Sequence, residues 1–187
     1  MTKLGPSDRT RIWNSFFLLA RREAKALFEF QNRCQAKDGT SPRGGMLNDE
    51  QRLVLSALAF FALAVEARAN HLIHKLVEEG KISQAEGSAA ERLAPEHKWF
   101  LLPKLAGRQK SLDASTSPHR AVAEICSMRN DVVHVRFARL SGRLPTPVRM
   151  LALFEEFVDA MDNMNTVLRD SRGPRKRVRQ MGRFKCI

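Results

Sequence analysis

The chain has 187 residues, a net charge of +12, 43% hydrophobic residues, 7% aromatics and no tyrosine. That length supports one well-buried domain, and the absence of a linker-separated second apolar region argues against two. A composition rich in Ala, Leu, Arg and Glu favours helices, while the basic excess points to polyanions such as nucleic acid or, as the weaker reading, to an anionic membrane surface.

Helical spacing of Ile12, Phe16, Leu19, Ala20, Leu27 and Phe30 predicts a first helix over 7–35. Lys37 to Gly45, with three glycines and Pro42, has the chemistry of an exposed loop. Asn48 is placed to cap a second helix, with Asp49 and Glu50 in its first turn and Gly80 just past its end. Leu53 to Val65 in this helix is apolar almost all round, as expected of a central bundle member. That run falls well short of the roughly 20 residues that span a bilayer, so no membrane association is expected.

Ser83 followed by Glu86 is a capping-box signature for a short helix ending before Pro95, which opens another through Leu102. Ser117-Pro118 reads as an N-cap and first-turn proline, and Val122, Ile125, Val132 and Val133 follow periodically. A last long helix carries the seam Met150, Phe154, Phe157, Met161, Met164 and Leu168, able to pack internally or against a second subunit. From Arg169 onward, eight basic residues face one acid, Asp170. The tail 171–187 therefore reads as a basic, flexible arm, with Arg175, Lys176, Arg177 and Arg179 as nucleic-acid contacts.

Cys34, Cys126 and Cys186 are odd in number and widely spaced, which argues against a disulfide framework or zinc site. The N-terminal stretch lacks a small-residue cleavage site, so no signal peptide is expected. A cytoplasmic location follows as an expectation, with neither metal nor other cofactor. His71 and His74 are three apart, but no third metal ligand has suitable spacing. Trp99 reads as a core anchor rather than a base-stacking platform.

The segment Arg129-Asn130-Asp131-Val132-Val133-His134 resembles the Arg-x4-His signature of the HEPN superfamily. The Glu66-x-x-x-Asn70 spacing is similar to the second helix of some HEPN families, and His97-Lys98-Trp99 with Leu101-Leu102-Pro103 resembles their middle region. Together these cover about residues 53–137. The resemblance implies an all-α, HEPN-like bundle of four or five main helices with short additional ones, over residues 1–170. It also implies a homodimer with the Arg and His near the subunit interface, and either metal-independent RNA cleavage or plain RNA or nucleotide binding. Membership of a defence or toxin system with a cognate antitoxin would follow from the same likeness. The chain departs from the toxins paired with minimal nucleotidyltransferases, because Arg136 stands where they carry a tyrosine two residues after the His. Having no tyrosine, it has no target for inactivation by tyrosine nucleotidylation.

The residues themselves support a chemical reading. Asn130 and His134 are four apart and share a helix face, so the amide can orient the imidazole. Arg129 and His134 lie about 140° apart around an ideal helix and about 7.5 Å along it. Either the helix distorts there or a two-fold partner supplies the second copy. RNA carries its own nucleophile in the 2′-hydroxyl. His134 would then act as general acid or base, and Arg129 would hold the phosphate. Arg136 would add a phosphate contact, and Glu66, Asn70 and Asp131 would support the site. The competing structural reading pairs Arg129 with Asp131, Glu124 or Glu66 and leaves His134 as a satisfied interior histidine. A non-catalytic RNA-binding module and a dimerising bundle remain the alternatives.

Overall fold

A computed structural model describes residues 6–35, 49–109, 112–133 and 144–168. Among these the chain is all-helical, with α1 (Pro6–Gln35), α2 (Asp49–Glu78), α3 (Gln84–Glu91), α4 (Pro95–Leu105), α5 (His119–Val133) and α6 (Pro147–Val167). The four longer helices form a bundle, and the short α3 and α4 pack on it.

Helix α2 is the axis, touching every other helix, which explains why its apolar surface extends so far around. By length and composition it is apolar enough to cross a membrane, although half of its most apolar stretch is buried inside the bundle. The aromatic contacts fix helix directions. Phe17 of α1 stacks on Phe154 of α6 with ring centroids 5.7 Å apart, and Phe61 of α2 lies 5.3 Å from Phe154. Further along, Arg68 of α2 sits over the Trp13 ring and donates to Asn165 of α6. Phe61 and Arg68 thus meet Phe154 and Asn165 in the same order, while on α1 Phe17 lies at the Phe154 level and Trp13 at the Arg68 level, the reverse order. Helices α2 and α6 are therefore parallel, and α1 runs against both.

One expectation for α1 is corrected. Its buried face is Trp13, Phe17, Ala20, Ala24 and Leu27, whereas Ile12 is 37% exposed and Phe16 is only partly covered. Ala20 and Leu27 of the expected stripe are buried, and the difference lies before them, where Trp13 and Phe17 turn inward in place of Ile12 and Phe16. The two largest rings close to the N-terminal half decide it, because Trp13 and Phe17 find aromatic and cationic partners on α2 and α6. The α6 seam, by contrast, is buried from Met150 to Leu168 within the chain, so it serves internal packing.

Local signals place the short elements. The Ser83 hydroxyl accepts from the Glu86 N–H while the Glu86 carboxylate accepts from the Ser83 N–H, completing the capping box. Gly80 adopts φ +66°, a left-handed conformation in the turn that ends α2. Gly87 matters for its size instead, since a Cβ there would lie 2.5 Å from Val77 Cγ2, and its missing side chain lets α3 approach α2. Helix α4 continues through Pro103 to Leu105, past the expected end at Leu102, held by buried Trp99, Leu102 and Pro103. Helix α5 begins at His119, one residue beyond the anticipated proline. The expected Asn48 cap lies outside the described residues.

Candidate functional site

The α5 sequence sets up the site. Val122, Ile125 and Cys126 form the buried stripe, and Arg129, three residues after Cys126 and four after Ile125, continues it. Its position half-buried at the end of that stripe brings the guanidinium out beside exposed Asn130, whose Oδ1 accepts from Arg129 Nη1 at 3.1 Å. Asp131 is half-buried, and Val132 packs at the edge of the core. His134 and Arg136 lie outside the described residues, as do Arg175, Lys176, Arg177 and Arg179.

Around Arg129 the acids are accounted for one by one. Glu124, five residues earlier on α5, is clamped by Arg149 of α6, whose Nε donates to its Oε1 at 3.0 Å and whose Nη2 also donates to it. The same guanidinium reaches Glu156 at 2.7 Å. The Glu124 hydrogen bonds in particular push the Arg149 pKa further up. Glu66 of α2 is held by Lys98 of α4, with Nζ 3.3 Å from Oε1. No carboxylate of the described residues forms an ion pair with Arg129, so the structural pairings with Glu124, Glu66 or Asp131 are not made.

Cys126 lies buried on the same face of α5 as Arg129, three residues on. Burial pushes its thiol up to about 12, helped by the negative charges of Glu96 and Glu66 and opposed by Arg129. One buried sulfur therefore feels groups from α2, α4 and α5 together. Asn70, one turn beyond Glu66, buries its Oδ1 without a hydrogen-bond partner among the described residues. Of the supporting pair, Glu66 bonds to Lys98 rather than to Arg129 or Asn130.

No protein-family model, curated protein or solved structure matches the chain.

The structure adds polar groups that sequence reasoning missed. Lys98 is 2% exposed, the buried member of the Glu66 pair. Its signal was available: it stands on the α4 face of Trp99 and Leu102, where a lone lysine asks for a counter-charge. His119 is buried, accepting from Trp99 Nε1 at Nδ1 and lying 3.2 Å from Asn163 Oδ1 at Nε2. An indole N–H only donates, so the neutral ring carries its proton on Nε2 and gives it to Asn163. This histidine ties α4, α5 and α6 together and is a structural group. His74 is engaged by Glu91 of α3 at 2.5 Å. Among the described residues no cluster of three or more His, Cys, Asp or Glu is placed to hold a metal.

Proposed function

We propose that this protein binds RNA through Arg129 and Asn130 on α5, and cleaves it without metal by using His134 as general acid or base. The observation that carries the reading is the state of Arg129: a half-buried guanidinium, hydrogen-bonded to an exposed amide, while each nearby acid the sequence offered it remains unpaired with it. A guanidinium that lacks a protein carboxylate retains its donor fork for a phosphate, the ligand its planar geometry fits bidentately. The chain's +12 charge favours polyanionic partners.

In the proposed reaction the 2′-hydroxyl loses its proton to a base and attacks the adjacent phosphorus. The 5′-oxygen leaves with a proton from an acid, giving a 2′,3′-cyclic phosphate and a 5′-hydroxyl. His134 serves one of these proton roles, and Arg129 stabilises the charge on the pentacoordinate phosphate. A homodimer in which two copies complete one site belongs to the proposal, because on an ideal helix the spacing of Arg129 and His134 would set them about 140° apart. A cytoplasmic protein acting in defence, with a cognate antitoxin, belongs to this proposal.

Incubation of wild type, Arg129→Gln and His134→Ala with mixed RNA in EDTA tests it. Wild type is expected to leave cyclic-phosphate ends, the two variants to lose cleavage, and a 2′-deoxy substitution at the cut site to block it. Binding that depends on Arg129 but yields no cleavage by any form would leave a non-catalytic RNA-binding module, which uses the same described residues. Indifference of wild type to RNA would end both readings.

A further inference from the structure

Two helices that pack together carry opposite charge. Between residues 11 and 33 of α1 five basic residues stand against two acids, Glu23 and Glu29, whereas α6 sets four acids against Arg149 alone. On α1 that charge is also ordered. Arg11, Arg22 and Arg33 are exposed and stand eleven residues apart. Eleven residues make about three helical turns, so the three side chains leave the helix within about 40° of one another, at intervals of about 16 Å along its axis. The buried face of Trp13, Phe17, Ala20, Ala24 and Leu27 lies about 180° away from them around the helix. Lys25 is exposed on the outward side as well.

Ion pairing leaves this row cationic at both ends. Arg11 and Arg33 pair with no carboxylate among the described residues, and the Nε of Arg33 donates instead to the main-chain oxygen of Glu29 at 3.3 Å. In the middle, Arg22 meets the adjacent Glu23 at 2.8 Å with its own side chain 70% exposed, and Lys25 meets Glu29 at 3.5 Å. Exposed pairs of this kind contribute little to stability, so an incoming phosphate can take over either cation at small cost.

We infer that the outward face of α1 is a phosphate track: Arg11, Arg22 and Arg33, with Lys25 beside them, hold the backbone of a single nucleic-acid strand laid along the helix. Guanidinium forks fit phosphate oxygens bidentately. Between the arginines the face shows Ser15, Leu18 and Glu29 and no aromatic ring on which a base could stack, so it grips the backbone without reading bases. A helix lying on a membrane turns an apolar face to lipid, whereas α1 turns its own into the bundle and leaves Leu18 as the large apolar side chain of this side. The track is separate from Arg129, because α1 packs chiefly on α2 and α6 while Arg129 belongs to α5, and it does not depend on the reading of that residue.

The test combines Arg11→Gln, Arg22→Gln and Arg33→Gln in the full chain, which keeps a good helix former at each position. Affinity for oligo(U) and for oligo(dT) of the same length is followed against salt. Three lost contacts with a single strand should lower the slope of log affinity against log salt by about two, and Arg11→Gln alone by about 0.7. A control with Arg52→Gln, Lys81→Gln and Lys104→Gln removes the same charge from exposed positions outside α1 and should keep the slope near wild type.

A wild-type slope in the α1 variants overturns the inference, and so does an equal loss in the control, which would mean that net charge alone is felt. Failure of wild type to bind either oligonucleotide overturns it too, and binding to phosphatidylserine vesicles instead would assign the face to lipid. Arg129→Gln separates this inference from the proposed function. Wild-type binding by that variant, with the slope lost in the α1 variants, removes the Arg129 reading and keeps the track; the reverse pattern keeps Arg129 and removes the track.

Discussion

Two arginines on neighbouring helices, Arg149 of α6 and Arg129 of α5, occupy opposite electrostatic situations. Arg149 is saturated, bonded to both Glu124 and Glu156, and its work is to hold α5 against α6. Among the described residues Arg129 bonds only to the neutral Asn130. The difference is between a cation that ties two helices together and one that, among the described residues, meets only a neutral amide. The nearby carboxylates are distributed so that the first holds them and the second does not.

The largest effect should come from exchanging the two. Arg129→Gln is expected to reduce RNA cleavage at least about a hundredfold, the scale of losing one charge-stabilising donor in a transition state. Its unfolding free energy should stay within about 0.5 kcal/mol, as for a surface group with no structural ion pair. Single-turnover cleavage and urea denaturation measure both. A large stability loss with unchanged cleavage would reverse the roles assigned to the two arginines.

Gly87→Ala provides a stability control distant from Arg129. The new methyl meets Val77 Cγ2, a short β-branched side chain with little freedom to move. Denaturation should show a loss of about 1–3 kcal/mol, the usual cost of overpacking, while RNA binding is retained. Arg149→Met should follow, losing about 1–2 kcal/mol because its charge-assisted hydrogen bonds are partly exposed to water. Its RNA affinity should match wild type at the same salt. Lost affinity in a well-folded Arg149→Met would indicate that freed Glu124 reaches Arg129.

The smallest expected effect is a pH dependence. Hydrogen bonds from the Ser83 backbone and then its hydroxyl hold the Glu86 carboxyl below its ordinary value of 4.5. A lowered folded pKa means the stabilisation is complete above the ordinary value and is lost as pH falls through the lowered one. Glu86→Gln should therefore remove a small acid-side slope from the Tm profile without changing RNA binding at neutral pH. An unchanged profile in that variant would assign the slope to other carboxylates.

Much of the architecture was legible locally. The ends of α2 and α3, the Ser83 and Glu86 capping box and the α6 seam depend on residues within a few positions of each other. The start of the α1 face was not, since Ile12 and Phe16 lead into Ala20 and Leu27 at helical spacing as well as Trp13 and Phe17 do. Only the rings of Phe154 and Phe157, more than a hundred residues away in sequence, choose between them. Arg129, Asn130 and Asp131 could be placed together on a helix from spacing alone, and α5 carries all three.

By itself the sequence determined an all-helical chain, because helix starts, stops and apolar periods are set by neighbours three or four residues apart. It also determined the strong positive charge and the position of Arg129 on α5. What only the tertiary structure decided is which carboxylate belongs to which cation: Glu66 to Lys98, 32 residues away, and Glu124 to Arg149, 25 away. Charge pairing acts through space between packed helices, so the same residues in the same order acquire their roles only when the bundle closes.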